Sequence, residues 1–159
     1  FPKVCSRCVP ALVFGARCLE AFIQELELGE PVSFFSGSKG FHTFAKRSRT
    51  FSPRGREALV SLFSRPRVLG QAHNCSFVQR ALKKSGGVQK WVDWLTQLLG
   101  NDFIIEVEQL GAEVAVVQKL WPILDAAVTT STSHLIALPL GIKPSTGLVC
   151  KEIGDDFAL

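Results

Sequence analysis

RTFSPRGREALVSLF, residues 49–63, followed by FVQRALKKSGG, residues 77–87, is the part of this chain whose reading decides the expected fold. Ser52 is suited to cap a helix and Pro53 to occupy its first turn. Leu59, Leu62 and Phe63 then fall on one face. Phe77, Val78, Ala81 and Leu82 form a second apolar face, Arg80, Lys83 and Lys84 project elsewhere, and Gly86-Gly87 ends the run. Between them Pro66 removes a backbone donor, so a kink or break is expected there.

The same stretch carries most of the positive charge. Eleven bases lie between Lys39 and Lys84: Lys39, Lys46, Arg47, Arg49, Arg54, Arg56, Arg65, Arg67, Arg80, Lys83 and Lys84. Glu57 is the one acid among them, so this segment stands at +10; the rest, with seven bases and thirteen acids, stands at −6, which recovers the net +4. So lopsided a run fits an anionic partner: a membrane surface, an acidic coat or a nucleic-acid backbone.

Outward from this centre the chain reads as helical. Leu12, Cys18, Leu19, Phe22, Ile23 and Leu26 recur at helical spacing over residues 11–28. Residues 32–46, with Phe34, Phe35, Phe41 and Phe44 broken by Gly37 and Gly40, are read either as a continuation of the helix after a kink or as an extended loop, with the second half leaning helical. Val88, Trp91, Val92, Leu95, Leu98 and Leu99 follow the amphipathic rule, and Gly100 stops them. Phe103, Val107, Leu110, Val114, Val117, Trp121 and Leu124 continue as one helix over residues 103–124. Residues 1–10 are an irregular arm, 129–147 are loop-rich, and 148–159 form a short terminal helix. The expected fold is all-α, a single domain over residues 1–159 with about five helices.

Motifs for chemistry are scarce. His42, His73 and His134 lie far apart, and no P-loop, H-E-x-x-H or G-x-S-x-G is present. Cys5-x-x-Cys8 has half the spacing of a zinc site, but no second pair follows, so the two read as arm cysteines, buried or bridged. Ile153-Gly154-Asp155-Asp156-Phe157 contains a Gly-Asp-Asp like that of viral polymerases, which needs a domain several times larger; it is read as an acidic helix end. The expectation is no enzyme, no cofactor and no metal. A first residue other than Met and the glycosylation triplet Asn74-Cys75-Ser76 point to secretion.

Arg49, Thr50, Ser52, Ala58, Leu59, Arg65, Ala72 and Gly86 stand in the order and spacing of a segment of the abalone sperm acrosomal proteins. Leu110-Gly111-Ala112-Glu113 and Ala21-Phe22 match with shifts, and the likeness covers residues 18–120. The chain resembles that family, lysin and its eighteen-kilodalton fusagenic paralogue, and is nearer the paralogue in its 17.4 kDa mass and its hydrophobicity. It departs in lacking Tyr and Met and in carrying Pro66.

The resemblance implies a secreted, non-enzymatic bundle stored in the sperm acrosomal vesicle, promoting sperm–egg membrane fusion. Its partners would be the anionic egg membrane or an egg-coat glycoprotein, with no small-molecule substrate. On that reading the eleven bases draw the protein to headgroups, each contributing roughly 1 kcal/mol. Phe34, Phe35, Phe41, Phe44, Phe51 and Trp94 then insert, at about 1.5–3 kcal/mol each. The alternatives are non-enzymatic dissolution of the egg vitelline envelope and, with less support, a nucleic-acid-binding helical module.

Overall fold

The computed structural model of the protein describes residues 6–46, 51–64, 73–131, 133, 136, 138–154 and 156–157, with Lys46 described through its backbone. A 3-10 turn at Ser6–Cys8 leads into α1, Val9–Glu25. Pro10 sits in the first turn of α1, where its missing N–H costs nothing. This helix is apolar on almost every side, so it belongs in the middle of the molecule. Phe14, Cys18, Ala21 and Phe22 face a large core, and Leu12 and Ala16 face a smaller one with Phe35 and Ile153. Its buried polar side chain, Glu20, is met by Arg17 at 2.6 Å.

Glu27 and Gly29 both take positive φ and turn the chain into β1, Glu30–Phe35, which pairs antiparallel with β2, Phe41–Lys46. Phe35 faces Phe41 in the register, Phe34 faces His42 and Ser33 faces Thr43. This is the first departure from expectation, since residues 32–46 form a hairpin rather than a kinked helix or an extended loop. Val32, Phe34, Thr43 and Phe44 are β-branched or aromatic, and Gly37 and Gly40 sit where a hairpin must turn. The chain's last described segment closes the sheet on its other side. Phe35 N–H donates to the Lys151 carbonyl at 2.7 Å and Ile153 N–H to the Ser33 carbonyl at 2.8 Å. Around Glu152 and Ile153, then, the expected terminal helix is instead extended chain against β1.

The quoted stretch does form helices. In α2, Pro53–Phe63, Ser52 caps by accepting Gly55 N–H at 3.1 Å. In α3, Ser76–Lys84, the buried residues are Phe77, Val78, Ala81 and Leu82, as read from the spacing. The expected break at Pro66 lies outside the described residues. Val88–Leu99 is α4, with the bounds expected of it. The long helix expected beyond it is two, α5 at Asn101–Leu110 and α6 at Ala112–Leu120. Gly111 between them has φ +87°, a conformation outside the helical basin. A short α7, Ala126–Thr130, is capped by Asp125, which accepts Val128 N–H at 3.2 Å.

The large core is aromatic where the helices meet. Phe22, Phe63, Phe77 and Trp121 pack ring to ring at centroid distances from 5.2 to 6.1 Å. The fold is thus mostly helical, with seven α-helices among the described residues, but not all-α, because a two-stranded sheet is built against α1. Among the described residues no helix is long and apolar enough to cross a membrane.

Candidate functional site

A cleft of about 1280 Å³ runs beside the hairpin. Gly15 on α1 makes its floor possible. A Cβ there would meet the Phe41 ring at 3.2 Å and Pro122 at 3.6 Å, so glycine lets α1 approach β2 and the 121–125 segment together. One wall is β2 with the loop before it, Ser36-Gly37-Ser38-Lys39-Gly40. The facing walls are residues 119–125, Phe51, Arg56 and Leu59 around α2, and Lys143.

The loop is a closed turn. Ser36 N–H donates to the Gly40 carbonyl at 2.9 Å, and Gly40 N–H donates back to Ser36 Oγ at 3.3 Å. Gly37 has φ +74°, and a Cβ on it would meet Lys143 Cβ at 2.8 Å and the Leu148 carbonyl oxygen at 3.0 Å. The loop is therefore pressed against a second turn at residues 143–147. In that turn Lys143 N–H donates to the Leu148 carbonyl at 2.8 Å, and Gly147 N–H to the Lys143 carbonyl at 2.8 Å.

The electrostatics of the cleft favour an anion. Among the described residues its ionised lining is Lys39, Arg56, Lys119 and Lys143 against Asp125, four cations to one carboxylate. Lys119 is paired with Glu106 at 2.6 Å, and Lys39, Arg56 and Lys143 line the cleft beside it. Ser36, Ser38, His42 and Thr43 also line the cleft on the hairpin side. Glycine turns carrying hydroxyls and a lysine are the common way to hold a phosphate group, which needs several donors at close range.

Cys18 and Cys75 do not offer nucleophilic chemistry. Cys18 is fully buried, and burial pushes its thiol well above the ordinary value of 9.0. The Cys75 thiol is also pushed up, by burial and then by the charge of Glu25. Neither thiol is activated.

The structure sorts the residues singled out from the sequence. Lys39 and Arg56 reach the cleft, Arg54 is exposed on α2, and Lys83 and Lys84 are exposed on α3. Arg80 is tied down, to Glu25 at 3.0 Å and to the Ala21 carbonyl at 3.0 Å. Arg47, Arg49, Arg65, Arg67 and the side chain of Lys46 lie outside the described residues. Phe35 is buried against α1, and Phe34, Phe41, Phe44 and Phe51 are half-buried. Trp94 is half-buried edge-on to Trp91 at 5.6 Å. The large side chains most open to water are instead aliphatic, Leu138, Leu140, Ile142 and Ile123. Sequence reasoning missed Ser36, Ser38, His42, Asp125 and Lys143. The signal for the first three was present in Ser36-Gly37-Ser38-Lys39-Gly40-Phe41-His42, a glycine turn with a lysine between two aromatic, β-branched runs. Asp125 and Lys143 had none.

A mostly helical protein with a cationic cleft at a glycine-turn hairpin is the class these features define. The chain matches the family model of the DNA primase small subunit over residues 2–155, and it belongs to that family. No curated protein matches it.

The family match overturns the acrosomal resemblance, which rested on scattered identities rather than on a motif. With it go membrane fusion, egg-coat dissolution, the egg-surface partners and secretion to an acrosome. The expectation of no enzyme is corrected as well, because the family is one of enzymes that synthesise RNA primers. Nucleic acid, the least favoured partner on sequence grounds, is the one the family points to.

Proposed function

We propose that this chain serves RNA primer synthesis on a DNA template, with its cleft holding the triphosphate of a ribonucleotide. The observation that carries this reading is the convergence of Lys39 and Lys143, from segments far apart in sequence, on one cleft beside a glycine turn. In primer extension the 3′-oxygen of the growing strand attacks the α-phosphorus and pyrophosphate leaves. Charge therefore builds on the β- and γ-phosphate oxygens as the bond breaks. Cations fixed around those oxygens stabilise the transition state more than the ground state. Lys39 and the hydroxyls of Ser36 and Ser38 supply donors from the turn, Lys143 supplies a cation from the facing segment, and His42 supplies an imidazole from β2.

Phosphoryl transfer to a growing strand commonly uses divalent ions held by clustered carboxylates. The described residues do not fit such a centre. No group of three His, Cys, Asp or Glu side chains converges among them, and Asp125, the one acid lining the cleft, already accepts a backbone N–H. The residues here match the phosphate-holding side of the reaction, and no step is assigned to a metal. The exposed bases Arg54, Lys83 and Lys84 are proposed to meet the nucleic-acid backbone, and a primase large subunit is the companion chain the family suggests.

Titration of the chain with ATP, followed through the fluorescence of Trp121 in the cleft wall, tests the reading. Saturable quenching that Lys39→Ala weakens by about tenfold, as expected for loss of a charge-assisted contact, supports it. Binding that is absent, or indifferent to Lys39, overturns it.

A further inference from the structure

Thr146 joins the two halves of the proposed phosphate site without facing the cleft itself. Its hydroxyl donates to the Gly37 carbonyl, a contact spanning 109 residues of sequence. The same oxygen accepts the Leu148 N–H at 3.3 Å, so the hydroxyl proton is left to serve a carbonyl. The other carbonyl in reach, that of Lys143, stands at 3.5 Å, at the edge of useful distance.

The turn that carries Thr146 also has backbone bonds of its own. Its backbone closes through Lys143 and Leu148, and it is anchored further out by Cys150 N–H to the Gly141 carbonyl and Leu140 N–H to the Cys150 carbonyl, both at 2.8 Å. The strand beyond is paired with β1. The side chain's distinctive contact is the one across to the glycine turn.

We propose that Thr146 is a positioning residue that latches the Lys39-bearing turn to the Lys143-bearing turn, so that the two ammonium groups meet one triphosphate at a fixed separation. This rests on the triphosphate reading of the cleft. Loss of the hydroxyl lets the turns part. Each lysine still binds phosphate, but the two no longer act as a pair. The crowding at Gly37 gives the latch its leverage, because the turns already touch there and have one arrangement to hold.

The test measures ATP and adenosine binding to the full chain and to four variants, Thr146→Val, Thr146→Ser, Lys39→Ala and the double variant. Thr146→Val keeps the shape and removes the hydroxyl; it is expected to weaken ATP about tenfold and leave adenosine unchanged. Thr146→Ser keeps the hydroxyl and is expected to bind ATP as the parent does. In the Lys39→Ala background, Thr146→Val is expected to cost little more, since one of the latched cations is already gone. If Thr146→Val does not fold, Thr146→Ala is measured in its place. Equal ATP affinity in the parent and the hydroxyl-free variant overturns the latch while leaving the triphosphate reading intact, provided Lys39→Ala still weakens ATP. Additive losses, or equal losses for ATP and adenosine, also overturn it. Failure of the parent chain to bind ATP overturns the triphosphate reading and the latch together.

Discussion

Trp121 donates its indole N–H to the Phe63 carbonyl at 3.1 Å, and the bond is buried. It ties the last turn of α2 to the segment that becomes the cleft wall, and Phe63 and Trp121 also stack at 5.9 Å. Trp121→Phe keeps most of the packing and orphans a buried carbonyl. A loss of about 1–3 kcal/mol is expected, read as a lowered urea midpoint with an unchanged slope. An unchanged midpoint means the carbonyl finds water and the bond is dispensable.

At Gly15, α1 lies against both β2 and Pro122, and the nearest neighbour a new Cβ would meet is an aromatic edge at 3.2 Å. Gly15→Ala forces the Phe41 ring to shift by a few tenths of an ångström. Gly15→Val has no such room and is expected to cost about 1–3 kcal/mol by overpacking, and to weaken ATP as the cleft floor lifts. Thermal unfolding and ATP titration of the two variants check the order, with alanine tolerated and valine not.

Cys18 gives a pH dependence whose sign follows from its burial. Its thiol is held neutral in the folded protein, with its pKa pushed far above the ordinary 9.0 by desolvation. The unfolded chain releases the proton near the ordinary value and the folded chain does not, so the unfolded state is favoured as pH rises. The contribution is fully present below about pH 8.5 and is lost progressively above it. Stability is therefore expected to fall across pH 9–10.5 in urea titrations, and Cys18→Ala is expected to flatten that fall while lowering stability at pH 7 through the cavity. A thiol reagent should label Cys18 only after unfolding.

How much of this could be read from the sequence follows from the range of the interactions. Ser52 and Pro53 started a helix, and the i, i+3, i+4 spacing gave the buried face of α3 and the Trp91 and Leu95 part of α4, whose Leu98 and Leu99 are exposed instead, because caps and amphipathic faces are set by neighbours a turn away. The hairpin was misread because Phe34, Phe35, Phe41 and Phe44 satisfy either period in so short a window. Gly111 was passed over inside an apolar stripe that continues across it, although the backbone breaks there. The cleft was legible only in its turn. Lys39 was picked out as one charge in a run, whereas it shares the cleft lining with Lys143, and nothing local brings those two together. The charge imbalance pointed to an anion and could not distinguish a lipid headgroup from a nucleotide phosphate.

That ambiguity leads to a separation of two anionic ligands on one molecule. Lys143 lines the cleft, whereas Lys83 and Lys84 are exposed at the C-terminal end of α3, outside the cleft lining. Lys143→Ala is expected to weaken ATP about tenfold and to leave single-stranded DNA binding within twofold. The pair Lys83→Ala and Lys84→Ala is expected to do the reverse. Each neutralised backbone contact on a single strand contributes about 0.7 to the slope of log affinity against log salt, so removing two should flatten that slope by about 1.4. Fluorescence anisotropy with a labelled single strand at several salt concentrations measures the slope directly. If both sets of variants weaken both ligands alike, the cleft and the α3 end belong to one continuous nucleic-acid surface, and the assignment of Lys143 to the triphosphate fails.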